Sequence, residues 1–173
     1  MEYTEGVRFD SLGLSPEIMR AIRRRELELT TPVQAGCIPP MMDWQDVIAK
    51  APTGTGKTFA YGIPIIEHVD PEDDAVQAVI LAPTRELAIQ ITDELRDISA
   101  FRPGVRCVCL YGGQPIGKQI DALKKRPQIV VATPGRLSDH MKRRTVRVDS
   151  AQTVVLDEAD RMLDMGFIHD VTR

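Results

Sequence analysis

Short apolar runs rich in β-branched residues recur along the chain, each closed by Gly, Pro, Ser or Thr and followed by a longer stretch of helical period. The runs cover 46–51 (DVIAKA), 78–82 (AVILA), 106–110 (RCVCL), 128–132 (QIVVA) and 153–156 (TVVL). Between them, residues 86–100 place Leu87, Ile91, Leu95 and Ile98 at steps of four, four and three, which is one apolar face of a helix. Residues 115–125 repeat the idea with Ile116, Ile120 and Leu123. Strand, crossover helix, strand, repeated in this way, predicts an α/β fold with a mostly parallel sheet and helices on both faces. Ligands of such sheets bind beyond the carboxyl ends of the strands, so the residues just after each run are the candidates for chemistry.

The first 45 residues break this rhythm. Ser15 is a helix N-cap candidate with Pro16 at the first helical position, opening a helix over 16–25, and a second helical segment follows over 32–42. They read as a helical preamble, 1–45, packed on the sheet edge of a core that begins at residue 46 and runs to 173. Residues 69–77 (VDPEDDAVQ) read as a polar surface loop.

Composition narrows the class. The 173 residues carry 22 basic and 25 acidic side chains, a formal net charge of −3, which argues against holding nucleic acid by bulk charge alone but leaves room for a narrow basic groove. No stretch approaches the roughly 18 consecutive apolar residues of a membrane span, and the N-terminus lacks the basic-then-apolar order of a signal peptide, so a cytoplasmic protein with no membrane partner is expected. Cys37, Cys107 and Cys109 show no paired metal-ligand spacing and read as buried reduced thiols. His68, His140 and His169 show none either.

The run over 46–51 leads into Ala51-Pro52-Thr53-Gly54-Thr55-Gly56-Lys57-Thr58 and then a helical stretch to about His68. This fits a phosphate-binding loop with Ala at the first of its two usual glycines. Thr53, Gly54, Thr55 and Gly56 would turn backbone N–H groups toward a polyphosphate, Lys57 would reach the terminal phosphates, and Thr58 would offer its hydroxyl to Mg²⁺. The following helix adds its positive end. A glycine-rich strand-to-helix turn with no ligand is the plainer alternative. The last run ends in Asp157-Glu158-Ala159-Asp160, and an acid delivered at the end of an apolar strand is the second half of a nucleoside triphosphatase site. Asp157 would hold Mg²⁺, and Glu158 would orient and deprotonate the attacking water.

Taken together these residues resemble the first RecA-like domain of a DEAD-box RNA helicase, a P-loop NTPase, along nearly the whole chain. Residues 51–58 resemble motif I, Pro83-Thr84-Arg85-Glu86-Leu87 motif Ia, Gly112-Gly113 the paired-glycine motif, Thr133-Pro134-Gly135-Arg136 motif Ib, and 157–160 motif II. Thr31-Pro32-Val33-Gln34 resembles the core of the Q motif, with Phe9 as the isolated aromatic twenty-five positions before Gln34. The resemblance implies that ATP and Mg²⁺ are the ligands, that Gln34 reads the adenine edge with both ends of its amide, and that Phe9 stacks on the ring. It departs from the pattern where a Gly stands eight positions before the Gln and a Pro four before it: this chain has Glu26 and Thr30. It also implies that the sequence, ending at Arg173, stops before motif III and before a second RecA-like domain with its arginine fingers, so that a fragment with an exposed strand edge and a tendency to self-associate is expected.

Pro83, Thr84, Arg85, Gly112, Gly113, Thr133, Pro134, Gly135 and Arg136 all follow predicted strands. Their hydroxyls, guanidinium groups and backbone N–H groups suit a sugar-phosphate backbone and carry no base code, and the resemblance makes the ligand single-stranded RNA. Turn chemistry followed by helix starts is the plain alternative. Of the basic clusters 23–25, 124–126 and 142–144 with Arg147, the first two read as solvated helix faces and the third as a further RNA contact. The expected activity is that of the ATP-binding half of an RNA-dependent ATPase that unwinds short duplexes or remodels ribonucleoproteins, nearly inactive by itself. A noncatalytic RNA or protein binding module and a small-molecule P-loop kinase are the competing readings.

Overall fold

The computed structural model describes residues 6–48 and 56–158. The chain forms two compact units, one made of Met1–Val69 with Glu94–Pro103 and the other of Asp70–Asp93 with Gly104–Arg173.

Among its described residues the first unit holds the helices α1 (Pro16–Arg24), α2 (Pro32–Met42) and α3 (Lys57–His68). Ser15 caps α1 as its sequence position predicts, its hydroxyl accepting from the Ile18 N–H, while its own N–H and hydroxyl donate to Glu67 near the end of α3. α2 packs along α3 through Val33, Cys37 and Ala60. Arg102 closes the far end of α3 by donating to the carbonyls of Ile66 and Val69. The cluster at 23–25 is exposed, as expected of a solvated face, and two of its guanidinium groups also meet neighbours. Arg24 lies 5.0 Å from the centre of the Phe101 ring, Arg25 4.7 Å from that of Phe59, and Arg25 also pairs with Asp97 at 3.0 Å.

In the second unit four parallel strands, β1 (Ala78–Leu81), β2 (Cys107–Leu110), β3 (Ile129–Ala132) and β4 (Thr153–Leu156), form a sheet of order β2-β3-β1-β4. Helix α4 (Arg85–Ile98) follows β1, with Glu94 onward counted in the first unit; α5 (Ile116–Leu123) follows β2 and α6 (Pro134–Lys142) follows β3. β1 and β3 are buried at every position, as near-continuous apolar runs in a parallel sheet should be. One face of the sheet carries Val79, Leu81, Val108, Leu110, Val130 and Ala132 against Leu123 of α5 and Leu137 of α6.

Two expectations need correcting. Of the predicted strand over 46–51, residues 46–48 are irregular and Ile48 is 89% exposed, while 49–51 lie outside the described residues. An apolar run becomes a parallel strand only through hydrogen-bonded neighbours, and 46–48 have none among the described residues. On α5 the expected stripe is only partly inside: Leu123 is buried, Ile116 and Ile120 are half-buried, and the fully buried neighbour is Gln119. β4 is the edge strand next to β1, with Val154 59% and Leu156 36% exposed.

Besides Arg126 just past α5 (φ 57°), three of the described helices end on a left-handed residue that is not glycine: Glu26 (φ 59°), Trp44 (φ 61°) and Arg144 (φ 58°). Each makes the Schellman pattern; after α1 the Glu26 N–H donates to Arg23 and the Leu27 N–H to Ile22. Glu26 thus occupies the place where the family pattern has Gly, and the backbone still takes the glycine conformation. The other departure, Thr30, is buried, and its hydroxyl accepts from the Val7 N–H at 2.9 Å. Because a Cβ in the left-handed region costs about 1–2 kcal/mol and glycine gives back part of this through unfolded-state entropy, Glu26→Gly is expected to stabilise the chain by about 0.5–1 kcal/mol. A urea midpoint at or below that of the wild type would refute the strain at this cap.

Candidate functional site

In the first unit the phosphate-loop residues Thr53, Gly54 and Thr55 lie outside the described residues, and Gly56, Lys57 and Thr58 lie within them. Gly56 is the N-cap of α3 with φ 76°, a conformation that favours glycine. Space imposes the same choice, since a Cβ there would sit 2.2 Å from Nε2 of Gln34. Lys57 and Thr58 are therefore the first two residues of a helix of 12, half-buried at its positive end. Gln34 is the third residue of α2 and completes a capping box with Thr31: Oε1 accepts from the Thr31 N–H at 2.9 Å, and the Gln34 N–H donates to the Thr31 hydroxyl. Its Nε2 donates to the Gly56 carbonyl at 3.1 Å. Both ends of the amide thus serve the protein, tying α2 to the start of α3, and pairing with an adenine edge requires these bonds to exchange. Phe9 opens a one-turn 3₁₀ segment, Phe9–Ser11, and is 1% exposed. Its ring is core in this structure, and stacking on a base requires the surrounding segment to move aside.

In the second unit the sheet ladder continues one residue past three strands. The N–H groups of Ala82, Thr133 and Asp157 donate to Ala132, Leu110 and Leu81 at 3.0, 3.0 and 2.9 Å. Backbone bonds therefore fix where the candidate residues begin. Asp157 is 3% exposed at the end of β4, and Glu158 follows in the left-handed region with φ 52°. That conformation is costly for a non-glycine residue and turns the chain sharply at the second acid.

The RNA candidates after β1, β2 and β3 come together. Pro83 is buried, the Thr84 hydroxyl caps α4 by accepting from the Leu87 N–H, and Arg85 is exposed. The Arg85 guanidinium lies 5.5 Å from the centre of the Tyr111 ring, and a Cβ built on Gly113 would stand 3.4 Å from its Nη1. Gly112 and Gly113 are exposed, Gly113 with φ 90°. Thr133 occupies the N-cap position of α6 without a side-chain capping bond, Pro134 is its buried first residue and Gly135 is exposed. Arg136, expected at a phosphate backbone, is turned inward: its Nε donates to Gln119 Oε1 at 3.0 Å and its Nη2 to the Gln114 carbonyl.

Sequence reasoning missed Gln119 and assigned His140 nothing. Both are buried at the heart of this group, His140 Nε2 lying 2.9 Å from Gln119 Oε1 and Nδ1 2.7 Å from the Thr145 hydroxyl. Burial, and then the positive Arg136, hold the His140 pKa below its ordinary value. The available signal was Gln119 itself, an amide three residues after Ile116 within an apolar stripe.

Sheet, loop and acids have the order expected of a P-loop NTPase, and the profile of the DEAD/DEAH box helicase family matches residues 31–173. The chain belongs to this family. The DEAD-box ATP-dependent RNA helicase CshA of Geobacillus kaustophilus (strain HTA426) is 56% identical over 163 residues, 94% of this chain and 35% of that relative. The protein of the same name from Bacillus subtilis (strain 168) is 52% identical over 95% of this chain and 33% of its own length. The crystal structure of a DEAD box protein from the hyperthermophile Methanococcus jannaschii superposes with a TM-score of 0.89 at 43% identity, over 95% of this chain and 45% of that one. This DEAD/DEAH box chain therefore has the RecA-like fold and spans about a third of the length of the curated relatives named.

Proposed function

We propose that this chain is the ATP-binding half of an RNA-dependent ATPase that unwinds short RNA duplexes or remodels ribonucleoproteins, and that alone it binds nucleotide weakly and is nearly inactive. The observation that carries this is an acid pair, Asp157-Glu158, set at the end of an apolar parallel strand, in a chain whose Gly56-Lys57-Thr58 opens a helix. Relatives over nearly the full chain are named ATP-dependent RNA helicases, which supports the same reading.

The donor set suits Mg²⁺. Among the described residues no group of three or more His, Cys, Asp and Glu forms a metal cage, and Mg²⁺ is typically held by one or two protein oxygens together with substrate phosphates. The Thr58 hydroxyl and the Asp157 carboxylate would each offer it a hard oxygen donor, as the family resemblance implies. When bound, Mg²⁺ supplies charge neutralisation on the phosphates. Lys57 would bind the terminal phosphates, the α3 N-terminus would orient them, and Glu158 would accept a proton from the attacking water through its carboxylate. The exposed Arg85 and Gly112-Gly113 loop would contact the RNA backbone, which carries no base sequence.

The test is ATP hydrolysis by the full-length protein and by this chain alone, with and without single-stranded RNA. RNA is expected to stimulate the full-length protein, and the chain alone to fall at least about a thousandfold below it, for want of arginine fingers from a second RecA-like domain. Equal turnover in the two would overturn the half-site reading. Turnover indifferent to RNA would favour the binding module or another phosphate acceptor.

A further inference from the structure

We infer that Gln119 is a positioning residue for RNA binding, locking the Gly112-Gly113 loop to the first turn of α6 so that both elements present one fixed surface to the strand. The inference rests on the RNA-dependent reading above and adds to it a residue that touches no RNA.

Gln119 is 2% exposed, and its amide fills all four of its hydrogen-bonding positions. Nε2 donates to the Tyr111 carbonyl at 2.8 Å and to Gln114 Oε1 at 2.9 Å, both in the loop after β2. Oε1 accepts from Arg136 Nε at 3.0 Å and from His140 Nε2 at 2.9 Å, both on α6. The assignment is forced in one direction, because a guanidinium has no acceptor and only the amide oxygen can face Arg136. That oxygen then requires the proton of His140 to reside on Nε2, leaving Nδ1 to face the Thr145 hydroxyl. Arg136 adds a second link from α6 to the same loop through the Gln114 carbonyl. One amide thus joins the loop that carries Gly113 at φ 90° to the helix that begins at Thr133-Pro134.

Such a choice is poor for stability alone. An apolar side chain in the stripe of Ile116 and Leu123 would pack without any need for four matched partners, whereas a fully satisfied buried polar network specifies one arrangement. What the arrangement specifies is the relative position of two exposed elements, Gly112-Gly113 and Gly135, that carry backbone donors. Without the lock, the loop must be ordered when RNA binds, and affinity falls by that ordering cost.

The experiment uses the full-length protein and two variants. Gln119→Leu removes every bond of the amide. Gln119→Glu keeps an acceptor for Arg136 and His140 and removes only the donors to Tyr111 and Gln114, so it decides the matter if Gln119→Leu does not fold. Both are expected to raise the single-stranded RNA concentration for half-maximal ATP hydrolysis by about tenfold or more, leaving kcat at saturating RNA and the KM for ATP within about twofold. An RNA half-saturation unchanged in Gln119→Glu overturns the inference. So does a parallel loss of kcat and ATP affinity, which would mark a general structural role. If the wild-type protein itself shows no RNA stimulation, the RNA-dependent reading fails and this inference with it; stimulation in the wild type with unaffected variants overturns the positioning role alone.

Discussion

Glu158→Gln is expected to reduce RNA-stimulated ATP hydrolysis by the full-length protein by about 10²–10⁴-fold, the contribution of a positioned general base, while ATP binding stays within about twofold. The substitution changes little except the chemistry. Glutamine is nearly isosteric with glutamate, and neither has an advantage at φ 52°, so the sharp turn after Asp157 is kept. The amide can still orient a water but cannot take its proton. Asp157, whose backbone is fixed by its N–H bond to Leu81, is untouched, so nucleotide and metal affinity should persist. Hydrolysis rates and binding of a fluorescent ATP analogue, measured side by side, check both halves. Retention of more than about a tenth of the wild-type rate would remove Glu158 from the role of base.

The second large effect is on stability. Ile80 lies at the third position of β1, opposite Val131 of β3 and Val155 of β4, in a strand with a neighbour on each side. It is fully buried. Truncation to alanine removes three carbons from a site whose flanking strands are held in register by the ladder, so the space cannot close by collapse. Ile80→Ala is expected to destabilise this chain by about 3–5 kcal/mol and to lower Tm by about 6–20 °C. Urea and thermal unfolding measure it, and a loss below about 1 kcal/mol would mean that the sheet does relax around the site. Against a typical total of about 5–15 kcal/mol, the expected value is a large share of the whole.

How far the sequence could be read depended on whether a feature is local. Four of the five apolar runs form strands within a residue or so of their expected ends, because an apolar β-branched run bounded by turn residues has few alternatives once helices cover it. Helix α2 spans Pro32–Met42 as expected, since Thr31 and Gln34 carry their own capping signal. Of the run over 46–51, residues 46–48 are irregular and 49–51 lie outside the described residues; what makes a strand of an apolar run is a partner, and pairing is not local. The left-handed caps at Glu26, Trp44 and Arg144 were hidden for the opposite reason. The usual local signal for them is glycine, and tertiary context imposes the conformation without it.

The candidate site divides along the same line. Sequence alone determined which candidate groups the chain offers: a lysine and a threonine behind glycine, an acid pair at the end of an apolar run, and three polar turns after apolar runs, because residue type and spacing carry those properties directly. Tertiary structure alone decided who is free to use them. It turned Arg136 inward onto Gln119 and Gln114, engaged both ends of Gln34 with Thr31 and Gly56, put Phe9 in the core and left Arg85 and Gly113 in the open. Burial and hydrogen-bond satisfaction are properties of the packed assembly of neighbours, most of them far away in the chain, and no window of sequence contains them.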